Sequence, residues 1–172
     1  MVAGPAHLVG WSDGGIAALF VALFRPDLVE RLVLIGVNFH HEGTRPISMP
    51  EDAPFLTSIR AAYAARSPDG PEHFPVAMAK GMAMITTEPT LTTVDLAGVT
   101  APTLVMASDD DVIEAAHTLA LYGALPAGRL AIVPGTSHAL PIERPDEVAR
   151  LIMDFLAAPE PPDTLMPIDR AS

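Results

Sequence analysis

Gly10-Trp11-Ser12-Asp13-Gly14 lies between an apolar run, Ala6-His7-Leu8-Val9, and a long apolar stretch with helical spacing. That is a G-x-S-x-G motif in a strand–turn–helix setting. A serine on a tight, strained turn projects its hydroxyl above the sheet edge. Glycines on both flanks let strand and helix approach closely. The helix N-terminus then presents backbone N–H groups to a developing oxyanion. The alternative is a plain buried turn serine, and the context favours a nucleophile.

Working outward, Ile16, Leu19, Phe20, Leu23 and Phe24 recur at the spacing of one helix face. Ala17, Ala18, Val21 and Ala22 fill the other faces, so this helix is expected to be buried on several sides. Arg25-Pro26-Asp27 stops it, and Leu32-Val33-Leu34-Ile35 is a continuous apolar strand ending at Gly36. Such runs suit a parallel sheet covered on both faces. Strand–helix alternation resumes later, with strands at Thr103–Ala107 and Leu130–Val133 and a helix over 114–123. The last helix starts at Pro145 and carries the stripe Val148, Leu151, Ile152, Phe155, Leu156. Between these blocks, 38–99 holds Pro46, Pro50, Pro54, Pro68, Pro71, Pro75 and Pro89 among short helical patterns. It reads as a helical lid inserted over the sheet. The organisation expected is an α/β core from 1–37 and 100–157, a lid from 38–99, and a proline-rich disordered tail from 158–172.

Composition narrows the function classes. The chain has 172 residues, enough for one domain with a sizeable core. Its formal net charge is −11 with no Lys/Arg cluster, so nucleic acid is not an expected partner. It has no cysteine, which excludes disulfides and thiolate metal sites. No apolar run reaches membrane-spanning length, so a cytoplasmic protein with no membrane partner is expected. His40-His41 has no further ligand spacing and reads as a loop pair, so no metal and no cofactor are expected.

A serine hydroxyl needs a base, and the base needs an orienting group. Asp109-Asp110-Asp111 follows the strand ending at Ala107, and His138 follows the strand ending at Val133. Catalytic groups at the carboxyl ends of parallel strands are what such sheets favour.

These residues resemble the α/β-hydrolase superfamily. The resemblance is carried by Gly10-Trp11-Ser12-Asp13-Gly14-Gly15, by Ala101-Pro102-Thr103-Leu104-Val105 with its acidic turn, and by Gly135-Thr136-Ser137-His138 with Glu143-Arg144-Pro145. It implies the C-terminal part of an α/β-hydrolase fold, with about four parallel strands, flanking helices and the lid. It also implies the order Ser12, acid, His138. The family's usual Gly-Asp-x-Asp begins here with Ser108, and counting places the acid at Asp111, with Asp109 as runner-up. The resemblance implies a serine hydrolase that cleaves a carboxylic ester through an acyl-enzyme, with the Asp13 backbone N–H as one oxyanion donor. Gly-Trp-Ser-Asp-Gly-Gly with Gly36-Val37-Asn38 is most similar to the valacyclovir-hydrolase (biphenyl hydrolase-like) type. There the acid after the serine helps select substrates with a free amino group. Asp13 is thus an ammonium binder or simply a first-turn carboxylate favoured by the helix dipole. Trp11, Met78, Met82 and Met84 are candidate pocket residues, with ordinary packing as the alternative.

The family has further strands, and a loop that gives a second oxyanion donor, before the nucleophile strand. The sequence is therefore read as N-terminally incomplete. Its first strand is expected to leave an unprotected apolar edge that favours homo-oligomers. Two functions follow: a serine hydrolase acting on a small-molecule ester, or an inactive remnant working through self-association or a protein partner.

Overall fold

The computed structural model describes residues 4–46, 50–159 and 165–166. Four strands form one parallel sheet in the order β1-β2-β3-β4: β1 (Ala6–Trp11), β2 (Val29–Ile35), β3 (Thr103–Asp110) and β4 (Gly128–Ser137). Helices alternate with them. Helix α1 (Asp13–Phe24) joins β1 to β2. Then α2 (Pro54–Arg66), α3 (Phe74–Ile85) and the single turn α4 (Thr93–Leu96) lie between β2 and β3. Helix α5 (Ala115–Ala124) joins β3 to β4, and the short α6 (Leu140–Glu143) and α7 (Pro145–Ala157) follow β4.

The sheet is apolar on both faces because successive side chains point to opposite sides. Leu32, Leu34 and Val105 join Leu19, Ala22, Leu96, Val99 and Leu121 in one core beneath α1, α4 and α5. Val33, Ile35, Leu104, Met106 and Val133 join Leu140, Val148 and Phe155 in the other, under α6 and α7. The α7 stripe expected from its spacing packs there, with Leu151, Ile152 and Leu156 beside it.

Two expectations need correction. Helix α1 is not buried on several sides: Gly15, Ala18, Leu19 and Ala22 are buried, while Val21 and Phe24 are exposed. One layer of sheet offers α1 one face to cover, and its alanines fill space without requiring contact. Secondly, the stretch 38–99 does not stand apart from the core. Phe39, Leu96 and Val99 are buried in the α1-side cluster, so both ends of the segment are core and only α2 and α3 project. Strand β1 is an edge strand with β2 as its neighbour among the described residues, and Val9 on it is 50% exposed. Most of the tail, 160–164 and 167–172, lies outside the described residues.

Candidate active site

Strand β1 ends at Trp11, and Ser12 turns the chain into α1. Ser12 is in the left-handed region, with φ 54 and ψ −127, and is the one non-glycine residue with positive φ among those described. Such a conformation persists when the surroundings over-determine it. Here Ser12 N–H donates to Ile35 O at 2.9 Å, tying the turn to β2. The glycines explain how tight the turn can be. A Cβ on Gly10 would run into the Gly14 and Gly15 backbone, and one on Gly15 would run into Val37 and Gly10. A Cβ on Gly14 would meet nothing. The close approach thus uses Gly10 and Gly15, not the last glycine of the five-residue motif.

Ser12 stands where a helix cap would, yet its hydroxyl makes no cap. It lies 2.9 Å from His138 Nε2. On the other side of the ring, His138 Nδ1 is 2.8 Å from Asp111 Oδ1. A carboxylate only accepts, so Nδ1 carries the proton and Nε2 is the acceptor for the Ser12 hydroxyl. Asp111 is buried, and burial alone would push its carboxyl up. The hydrogen bond and charge of His138, the Ile113 N–H and the Ser108 hydroxyl outweigh that and hold it below the usual carboxylate range. Ser108 Oγ–H donates to Asp111 Oδ2 at 2.9 Å, and Ile113 N–H donates to Oδ1 at 3.1 Å.

The structure thus brings Ser12, His138 and Asp111 together and places Asp109 elsewhere. Asp109 Oδ1 accepts from Gly135 N–H at 2.8 Å and Thr136 N–H at 3.3 Å. Several neighbours had no catalytic signal in the sequence. Trp11 Nε1–H donates to the His138 carbonyl at 2.9 Å, with ring centroids 6.1 Å apart. The indole is therefore engaged with the histidine loop. Gly36, with φ +56, makes room for the imidazole: a Cβ there would sit 3.1 Å from His138 Cε1 and Nδ1. Glu143 accepts from Ser137 N–H at 2.7 Å and from Ser137 Oγ–H at 2.8 Å. Each left some trace in the sequence, Gly36 as a glycine ending an apolar strand, Trp11 and Glu143 as parts of the quoted motifs, but none showed its contact with the histidine loop.

A cavity of about 320 Å³ lies beside this constellation, lined by Asp13, Phe20, Asn38, Met84, Ile85 and Glu88 among others. Ser12 is not in its wall. Met78 and Met82 do not line it either, against expectation, although Met84 does. They sit about two turns and one turn before Ile85 on α3, half-buried. Met78, Met82 and Ile85, spaced by four and three residues, mark one helix face, but the cavity meets only the end of the helix. Asp13 lines the cavity through an exposed first-turn position. Its backbone N–H belongs to the first turn, where N–H groups lack intrahelical acceptors. Among the described residues no group of three His, Asp or Glu side chains is placed to hold a metal ion. No helix among them is long and apolar enough to cross a membrane.

This parallel sheet, with Ser12, Asp111 and His138 at its strand ends, defines an α/β-hydrolase fold, and the chain belongs to the Alpha/beta hydrolase family, whose model matches residues 2–151. Among curated proteins it is 28% identical over 165 residues to the serine hydrolase BPHL of Mus musculus, covering 87% of this chain and 54% of that protein. Among solved structures it resembles a serine hydrolase involved in carbazole degradation, the CarC enzyme, with TM-score 0.68 and 22% identity, covering 91% of this chain and 65% of that one. It also resembles a non-heme bromoperoxidase, BpoC, of Mycobacterium tuberculosis, with TM-score 0.62 and 22% identity, over 90% of this chain and 67% of that one. At these identities the structures speak for the fold alone. The chain spans about half the length of the mouse relative.

Proposed function

We propose that the chain is a serine hydrolase that cleaves a carboxylic ester, or a related acyl bond, of a small molecule in the cytoplasm. The observation that carries this is the run of contacts Ser12 Oγ–His138 Nε2–Asp111 Oδ1, at 2.9 and 2.8 Å. His138 takes the proton as Ser12 attacks the acyl carbon, and Asp111 stabilises the imidazolium. The Asp13 N–H donates to the oxyanion. His138 then returns the proton to the leaving alcohol, and water hydrolyses the acyl-enzyme by the same base. The cavity is acidic where it is charged, with Asp13 and Glu88 and no basic residue in its wall. Neutral or amino-bearing acyl groups are therefore the preferred class, and Asp13 is their ammonium partner.

A fluorophosphonate probe tests the reading directly. Ser12 should be labelled in the parent chain and not in Ser12→Ala, which should also lower ester turnover by on the order of 10⁶. A parent chain that resists the probe would refute it. Among matched esters, fastest turnover of one with a carboxylate-bearing acyl group would refute the substrate class.

The second reading is a non-catalytic chain that acts through self-association or a protein partner. It rests on β1, an edge strand with half-exposed Val9. An associated species on a sizing column together with an unlabelled Ser12 would favour it.

A further inference from the structure

Beyond the three residues of the proposed reaction, two carboxylates converge on the turn that delivers His138. The β3–β4 ladder runs in register to Ser108 and Val133, then resumes with Asp110 opposite Ser137. Pro134, Gly135 and Thr136 stand against Asp109 alone, two residues more than the register needs, and Gly135 has φ +67. Bulges of this kind re-aim the side chains that follow them. The side chain re-aimed here is His138, which follows the last paired residue, Ser137.

Two N–H groups of the bulge and one just after it are taken by carboxylates. Asp109 accepts from Gly135 and Thr136, and Glu143 accepts from Ser137 through both N–H and hydroxyl. These bonds hold both carboxyls below the usual range: the Gly135 N–H is the largest influence on Asp109, and the Ser137 N–H on Glu143. The two grip the turn from different elements, Asp109 from the end of β3 and Glu143 from α6.

We infer that Asp109 and Glu143 are positioning residues that set the His138 imidazole between Ser12 and Asp111. This rests on the serine-hydrolase reading for its catalytic consequence. Both carboxylates are exposed at the surface, so their bonds add little to global stability. Geometry is another matter. An imidazole displaced by about 1 Å can lower a rate by ~10²-fold. The effect of removing a clamp should therefore fall on rate far more than on folding. That split separates positioning from a merely structural role.

The experiment uses Asp109→Ala, Asp109→Asn and Glu143→Gln in the full chain. Four quantities are measured: thermal midpoint, labelling rate of Ser12 by a fluorophosphonate, the low-field proton resonance of His138 Nδ1–H against Asp111, and ester turnover as kcat and KM. Asp109→Ala should weaken and broaden that resonance and slow labelling by up to ~10²-fold, with the midpoint nearly unmoved. Ester turnover should fall through kcat, with KM unchanged. Asp109→Asn keeps a carbonyl oxygen for the two N–H groups and should recover most of the loss. Glu143→Gln should fall between the two. An unchanged resonance and labelling rate in Asp109→Ala would overturn the inference. So would a midpoint that falls in proportion to the rate. A parent chain that is never labelled refutes the hydrolase reading and not the clamp, which the resonance still decides.

Discussion

The strand ends and the helical segment between β2 and β3 are built to different standards. Five of the seven β2 residues and six of the eight β3 residues are buried. Helix α2 buries only Leu56 and α3 only Phe74. The bonding differs as well. Ser12 and His138 meet across 126 positions of sequence, and Trp11 reaches the His138 carbonyl across 127. In α2 and α3 the ties are local: Tyr63 hydroxyl to His73 Nδ1 at 2.9 Å, Tyr63 edge-on to Phe74, and Arg60 over the same ring. Groups that must meet within a few tenths of an ångström are mounted on buried strands with redundant hydrogen bonds. The helical segment that lends Met84 and Ile85 to the cavity wall is held by few apolar contacts, which is the condition for low local stability. On the proposed reading, chemistry and selectivity fall on parts of different rigidity.

The sharpest way to break that contrast is kinetic. Asp111→Asn should lower kcat by roughly 10⁴-fold, because the imidazole loses the partner that fixes its tautomer. Met84→Ala, in the cavity wall, should leave kcat in place and raise KM by up to about tenfold, the value of one half-exposed apolar side chain. Equal losses of kcat from the two would end the division of labour. The next test is stability. Leu34→Ala, fully buried in β2, should cost about 2–5 kcal/mol. Val76→Ala, 46% exposed on α3, should stay within ~0.5 kcal/mol. Chemical denaturation reads both.

The two regions also differ in how far sequence revealed them. The buried strands were legible because a parallel sheet covered on both faces demands unbroken apolar runs, as in Leu32–Ile35. The order Ser12, Asp111, His138 was legible because each follows a strand. What escaped was whatever depends on three-dimensional register. Nothing in the pattern around Trp11 says that its indole reaches the His138 carbonyl. Nothing in Asp109-Asp110-Asp111 says which acid meets the ring, beyond a count from a related motif; the bulge in β4 lets Asp109 reach Gly135 instead. In α2 and α3 the helices were legible and their destinations were not. Their apolar residues are too evenly spread, and too little buried, for periodicity to name the face that meets the cavity.

His117 lies at the seam between the regions, and it supplies a pH test. Its Nε2 accepts Phe39 N–H at 3.1 Å, and its ring stacks on Phe39 at 3.9 Å between centroids. Burial first, then the nearby charge of His40, push its pKa below 6.5; Glu42 and Glu114 are the acids closest in sequence to the two segments that meet here. The unfolded chain therefore takes up this proton before the folded one. The linked stability is whole above about pH 6.5 and declines as pH falls from there through the lowered folded value. A protonated Nε2 cannot accept the Phe39 N–H, so the same fall should loosen the start of the segment that carries Asn38. One proton limits the effect to about 1.4 kcal/mol per pH unit. His117→Gln keeps an acceptor and removes the charge, so its thermal midpoint should fall less steeply below pH 6.5 than the parent's. Parallel curves would show that the seam is insensitive to this group.

The smallest effect concerns two adjacent glycines on which motif and packing disagree. Gly14 completes G-x-S-x-G, while Gly15 lies just outside it. A Cβ on Gly14 meets nothing within contact distance, and the residue is exposed in the first turn of α1. Its conformation is helical, which alanine adopts with less loss of chain entropy. Gly14→Ala should therefore be neutral or stabilising by a few tenths up to ~1 kcal/mol, with Ser12 labelling unchanged. Gly15→Ala is the internal control. Its Cβ would collide with Val37 and with Gly10 O, forcing apart the strand and helix that set the angle of Ser12. It should cost about 1–3 kcal/mol, as overpacking does, and slow labelling. Thermal midpoints and probe rates for the two variants decide the matter. If Gly14→Ala proves as harmful as Gly15→Ala, the turn needs the flexibility of a glycine there and not only the space, and the close approach of β1 and α1 is not what holds the nucleophile in place.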